Sequence, residues 1–310
     1  MMSVHAAQAV PERAVSEPVP LGPDSLTWQH FGTWRYHLML PQAFVMQVAH
    51  PVIDAGVGQH SVYRTDPWGR AKRSTALLWP VVYARPEEAT RKGRQLREMH
   101  REIKGVDKHG KRYFALDPEA YGWVHCTGYD ANIRLLELFD VSPTRAQRTR
   151  LFLEWRQMGR MLGIRDDDLP DTEQAYWQHF ESIITERLEM GDVAQDLLDE
   201  RHYLQTPKPP GSTMPDALWG AVTSGAGRLL RHNLLGTLPP LFRERFDIPW
   251  TDRDERRFRL WRRTVRTTHK LLPNSMRYIP LAREALRDVR RHPDAYQWNT
   301  TAPPRAEGAR

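Results

Sequence analysis

Three groups of residues in this chain have the types and spacing for chemistry. The first centres on His125, inside YGWVHCTGYDANIRLLELF from Tyr121 to Phe139. Asp117-Pro118 ahead of it is a helix-start signal, and no further proline interrupts the run before Asp140, so a long buried helix is expected. One turn either side of the imidazole stand Tyr121, Gly122, Gly128 and Tyr129. Glycine inside a helix costs about 1 kcal/mol relative to alanine, so two of them around one histidine call for a reason. A flat, bulky group such as haem, held through an axial histidine, is one reason. A core histidine hydrogen-bonded to a neighbouring helix, with glycines that allow close packing, is the other, and the spacing leaves both open.

The second group is His50, Asp54 and His60 in AHPVIDAGVGQHS. His50 and Asp54 are spaced i, i+4, which shares a helix face if the helix includes His50, and with His60 they form a possible three-ligand iron or zinc set. The competing reading is structural: short helices need hydrogen-bonding groups at their ends. The third group is Arg70, Arg73, Ser74, Leu77 and Val81, which lie at helical spacing on a face that begins basic and ends apolar. Such a gradient suits a pocket wall that meets an anion at one end and excludes water at the other. Surface ion pairs explain the two arginines equally well.

The elements that must position these groups read as helices throughout. Trp28, Phe31, Trp34 and Leu38 recur at helical spacing after Ser25, and Pro41 and Pro51 each stand where a short helix can begin, giving 42–49 and 52–59. Asp66-Pro67 opens a helix through about Ala84 across Pro80, and a charged helix follows over 86–103. KGVDKHGKRYFALDP reads as a loop or hairpin-like excursion. Helices are then expected from Pro143 to about Leu162, over 172–190, 192–204, 215–235, 252–271 and 280–292. Asp166-Asp167-Asp168 is a solvated turn, since it lacks the spaced ligands of a calcium loop. With no alternating strand pattern, the fold class is all-α, a single irregular bundle of roughly ten helices. Residues 1–24 and 296–310 are expected to be disordered tails around a domain over 25–295.

Bulk properties narrow the chemistry. The chain has 310 residues, 40% hydrophobic and 27% charged, with 11 tryptophans to supply buried area. The net charge of +7 is spread over segments such as RDERRFRLWRRTVRTTHK, without a nucleic-acid-binding signature, so nucleic acid is not an expected partner. Cys126, the single cysteine, excludes internal disulfides and cysteine-rich metal sites. The first residues lack a signal-peptide pattern and no apolar run reaches the length of a membrane span, so a cytoplasmic protein is expected. There is no G-x-S-x-G, Walker A or H-E-x-x-H motif, and no dinucleotide fingerprint, which removes the usual support for hydrolase, nucleoside triphosphatase and dehydrogenase readings.

Two longer stretches, LPQAFVMQVAHPVIDAGVGQHSVYRTDPWGRAKRST and LDPEAYGWVHCTGYDA, followed by EWRQMGRMLGI, resemble the bacterial oxygenase family of latex clearing protein (rubber oxygenase) and the MpaB-type oxygenases. The similarity runs from about Ser25 to His292, and its most specific pieces are AHP through GxxxHS and DPWGR-x-x-R. The resemblance implies an all-α, haem b-binding oxygenase that uses dioxygen to cleave the double bond of an apolar alkene, with isoprenoids as the class indicated. It implies His125 as axial iron ligand, with Gly122, Gly128, Tyr129 and Arg70 around the cofactor. The distal pattern implied falls on Arg70, Arg73 and Ser74. The rubber enzymes carry lysine and threonine at the last two places, and arginine, always protonated, cannot replace lysine as a ligand. Latex clearing proteins are exported, so rubber is not the expected substrate here. Two alternatives remain: a non-catalytic haem-binding or sensing protein, and a non-haem metal enzyme using His50, Asp54 and His60.

Overall fold

The computed structural model describes residues 18–296, so most of both expected tails lies outside the described residues. Where the tails enter that range they are tied to the body. The carbonyls of Val19 and Leu21 accept from the side chains of Gln157 and Trp28, and the Tyr296 hydroxyl donates to Asp288.

The first half of the chain forms α1 (Leu26–His30), α2 (Trp34–His37), α3 (Leu40–Val48), α4 (Pro51–His60), α5 (Pro67–Tyr83) and α6 (Pro86–His100). A two-stranded hairpin, β1 (Lys104–Val106) and β2 (Arg112–Phe114), leads to α7 (Pro118–Phe139) and α8 (Arg145–Met161). Then come α9 (Glu173–Ser182), α10 (Asp192–Leu198), α11 (Glu200–Leu204) and α12 (Asp216–Thr237). The described chain closes with α13 (Pro240–Arg245), α14 (Asp252–Leu271), α15 (Asn274–Arg277) and α16 (Pro280–Arg291).

Half of the helix starts are set by side-chain caps. Asp66 accepts from the Gly69 amide to begin α5 and Asp117 from the Ala120 amide to begin α7, each with proline in the first turn. Thr144 and Thr251 form capping boxes with Gln147 and Asp254 on α8 and α14. The all-α expectation holds, with two local differences in the later helices, and the hairpin-like excursion is present as expected. The excursion after α6 pairs in register as an antiparallel hairpin, Gly105 opposite Tyr113. The helix expected over 172–190 ends in a π-helical turn at Ile183–Arg187, and the one expected over 192–204 breaks at Asp199, which caps α11. Short helices such as α2, α13 and α15 carry too few residues for a periodic signal.

The buried apolar residues form one cluster, and α7 runs through it in contact with α2, α3, α8, α9 and α14. Glu154 on α8 fixes the start of α1: its carboxylate accepts from the amides of Leu26 and Thr27 and from the Thr27 hydroxyl. Arg35 reaches from α2 to the other end of α7, donating to the Phe139 carbonyl and pairing with Asp140 at 2.8 Å. The two-residue turn after α5 folds α6 back along it, and residue 100 therefore lies as far from that turn as residue 69.

Candidate active site

His125 sits at the centre of α7 and is 8% exposed. Its Nε2 donates to the Trp155 carbonyl at 2.8 Å, while the Trp155 indole donates back to the His125 carbonyl at 2.9 Å. The two rings stack, with centroids 4.7 Å apart and planes 9° from parallel. This reciprocal pair clamps α7 to α8. Burial pushes the His125 pKa down to about 4, with the carbonyl bond only partly opposing it, so the ring is neutral. Gly159, opposite on α8, permits the approach, because a Cβ there would stand 3.0 Å from His125 Nε2 and 2.6 Å from Leu169.

Of the residues grouped with His125 in the sequence, Tyr129 and Gly122 lie against neighbouring elements and Gly128 does not. Tyr129 is fully buried in an aromatic cluster with Phe152, Trp155, Tyr176 and Trp177. Gly122 lies against the Asp166–Asp168 turn, 3.8 Å from the Asp168 carbonyl to where its Cβ would be. Gly128 faces open space on the outer side of α7. In this arrangement iron at His125 Nε2 requires the Trp155 bond and stack to be given up.

His50, Asp54 and His60 are not brought together, which corrects the metal-site alternative. Pro51 starts α4, so His50 is its N-cap with extended backbone and does not share a helical face with Asp54. His50 Nε2 meets Glu119 at 3.2 Å, Asp54 accepts from the Val193 amide at 3.0 Å, and His60 Nε2 meets the Tyr113 hydroxyl at 3.1 Å. No group of three or more His, Cys, Asp or Glu able to hold a metal ion occurs among the described residues. Asp54 instead helps line a cleft of about 400 Å³ with Arg64, Lys108 and Asp192, to which His50 and His60 do not contribute.

The face of α5 divides. Arg70 turns inward, its guanidinium carbon 4.0 Å above the Phe44 ring and its Nε donating to the Ser61 hydroxyl at 3.2 Å, and burial lowers its pKa. Arg73 turns back to pair with the capping carboxylate of Asp66 at 3.1 Å, and Ser74 is exposed. At the end of α6, level with the first turn of α5, stands His100. Its Nδ1 is held by the Leu96 carbonyl at 2.7 Å, and its ring meets Tyr121 edge-on at 5.6 Å. A neutral imidazole that donates from Nδ1 presents its lone pair on Nε2, and Nε2 of His100 has no protein partner among the described residues. His37 shares this pattern, with Nδ1 on the Thr33 carbonyl.

An apolar surface begins nearby. Trp68, at the start of α5, contacts Trp219 of α12 at 6.4 Å. From there the outer face of α12 carries Leu218, Val222 and Leu229 in one exposed row, with Gly225 between them and nothing within 4 Å of where its Cβ would be. His100 and this row were missed in the sequence. EMHREIKG reads as part of a charged helix, and only the Nδ1 bond sets His100 apart.

A family model described as the catalytic domain of the ER-bound oxygenase mpaB/B'/rubber oxygenase matches residues 28–267. No curated relative and no solved structure matches the chain.

Proposed function

The chain belongs to the mpaB and rubber oxygenase catalytic-domain family, and from that premise we propose that it is a haem b-dependent oxygenase acting with dioxygen on an apolar alkene of isoprenoid type. The match across 28–267 carries the oxygenase assignment. The haem and the alkene are our reading, supported by the resemblance and by the residues around α5.

The resemblance favours His125 as iron ligand, and the hydrogen-bond pattern favours His100. A ligating histidine is ordinarily held by a second-shell acceptor on its other nitrogen, and the Leu96 carbonyl provides this for His100. At His125 the carbonyl bond is made by Nε2, the nitrogen that would hold the iron, and only Nδ1 is left without a partner among the described residues. Haem, when bound, supplies the oxygen chemistry, which no side chain can perform alone. Arg70, half-buried and with no carboxylate partner, is the residue suited to a propionate, and its Ser61 bond holds it in place. Ser74 offers an exposed hydroxyl one turn further along α5. The row Leu218, Val222, Leu229 is the wall against which an apolar chain would lie, excluding water.

Two measurements on the purified full-length protein test this reading. Reconstitution with haem is expected to give a Soret band and a pyridine haemochrome, and the loaded protein is expected to consume oxygen with an isoprenoid alkene. A protein that takes up no haem overturns the cofactor. A protein that binds haem yet consumes no oxygen with any alkene offered is the haem-binding or sensing alternative.

A further inference from the structure

We propose that the outer face of α14, together with the corner that follows it, docks on an anionic lipid bilayer. The inner face of α14 is set by Phe258, Trp261 and Val265, which pack on the body. Helical spacing then puts Arg253, Arg256, Arg259, Leu260, Arg263, Thr267, Lys270 and Leu271 on one outward face, and all eight are exposed. The cations on this face have no ion-pair partner among the described residues. Two of the three acidic residues of the first turn are turned elsewhere, Asp254 capping Thr251 and Glu255 accepting from Trp250, while Asp252 is exposed at the start of the face and pairs with none of its cations. Elsewhere on the surface arginines are commonly paired, as in Arg64 with Asp196 and Arg85 with Asp288.

Charge alone fits any polyanion, and the apolar residues decide the class. Leu260 is 62% exposed and Leu271 79% exposed on the same face. Beyond Leu271 the chain turns through α15, where Met276 is 56% exposed, and Thr33 bridges to Tyr278. That bridge brings Trp34, 51% exposed, to the same corner. A tryptophan, a methionine and a leucine at the end of a cationic helix suit the headgroup boundary, where aromatic and aliphatic tips enter the acyl region and arginines meet phosphate. A nucleic-acid groove offers the arginines their phosphates but gives these apolar tips no burial. The surface stands on its own chemistry and does not depend on the identity of the cofactor.

The test is co-sedimentation of the full-length protein with vesicles of phosphatidylcholine alone or of phosphatidylcholine with phosphatidylserine. Binding is expected only to the anionic vesicles. Arg256→Glu with Arg263→Glu, and separately Trp34→Ser with Leu271→Ser, should each weaken it about tenfold, because both the charge and the apolar anchor contribute. Unchanged thermal unfolding of both variants shows that the exposed substitutions leave the fold intact. Lack of binding to anionic vesicles overturns the proposal. So does binding that the Trp34 and Leu271 changes leave untouched, or equal affinity for a DNA duplex, since either result reduces the face to a non-specific cation surface.

Discussion

The surroundings of His125 and of His100 differ in which ring nitrogen is held and in how closely other rings pack around it. Around His125 each ring meets another: Trp155 stacks on it, Tyr129 and Tyr176 pack edge-on, and the Tyr176 hydroxyl donates to the Cys126 carbonyl. Around His100 one ring nitrogen is held and the other is open, and Arg70 stands level with it on the partner helix with no carboxylate beside it. The first region is built like a core and the second like a site. Glycine beside a histidine is therefore an ambiguous sign: here Gly159 permits α8 to approach His125, whereas Gly122 and Gly128 have room for a Cβ.

Substitutions can break that contrast. The largest effect is expected from Trp155→Ala, which removes the stack, a buried indole and its bond to the His125 carbonyl; a loss of about 3–5 kcal/mol in urea unfolding is expected. His125→Ala should cost about 2–4 kcal/mol, from a cavity and the lost bond to the Trp155 carbonyl. If instead it is nearly neutral, the clamp is not structural.

The pH dependence sharpens the same point. Burial holds His125 down to about 4 from 6.5, so the unfolded chain binds its proton first. Stability contributed by neutral burial is present above 6.5 and is lost as pH falls towards 4. His30 and His269, also held down to about 4 chiefly by burial, add to the slope. Urea midpoints measured across this window should fall with acid, and less steeply in His125→Gln. An unchanged slope in that variant contradicts the buried neutral ring.

Smaller effects belong to α5. Arg70→Ala removes a contact with Phe44 and the bond to Ser61, and it should lower haem occupancy at fixed haem concentration several-fold, on the order of the 1–3 kcal/mol of a charge-assisted bond. Arg73→Ala breaks only an exposed pair with Asp66 and should leave occupancy unchanged. Equal losses in both variants would falsify the division of that helix into an inward and an outward arginine.

Much of the fold was legible because its starts are local chemistry. Asp66, Asp117 and Thr251 announce α5, α7 and α14 in a few residues each. Pro51 announces α4 too, but its consequence for His50, which becomes a cap and leaves the face of Asp54, is a backbone fact that i, i+4 counting does not capture. The hairpin at 104–114 has strands of three residues, too short for alternation to register. The site was less legible for a different reason. Whether a histidine is open or closed depends on what its second nitrogen meets across the fold: Trp155 lies 30 positions from His125, and no spacing rule reports it.

The most direct test is the haem spectrum of two variants. His100→Gly is expected to lose the Soret band of the reconstituted protein and to regain it when imidazole is added to fill the ligand position. His125→Gln, destabilised but folded at low temperature, is expected to keep it. Loss of the band in His125→Gln with rescue by imidazole, and its retention in His100→Gly, contradicts the assignment of the open nitrogen and returns the iron to α7.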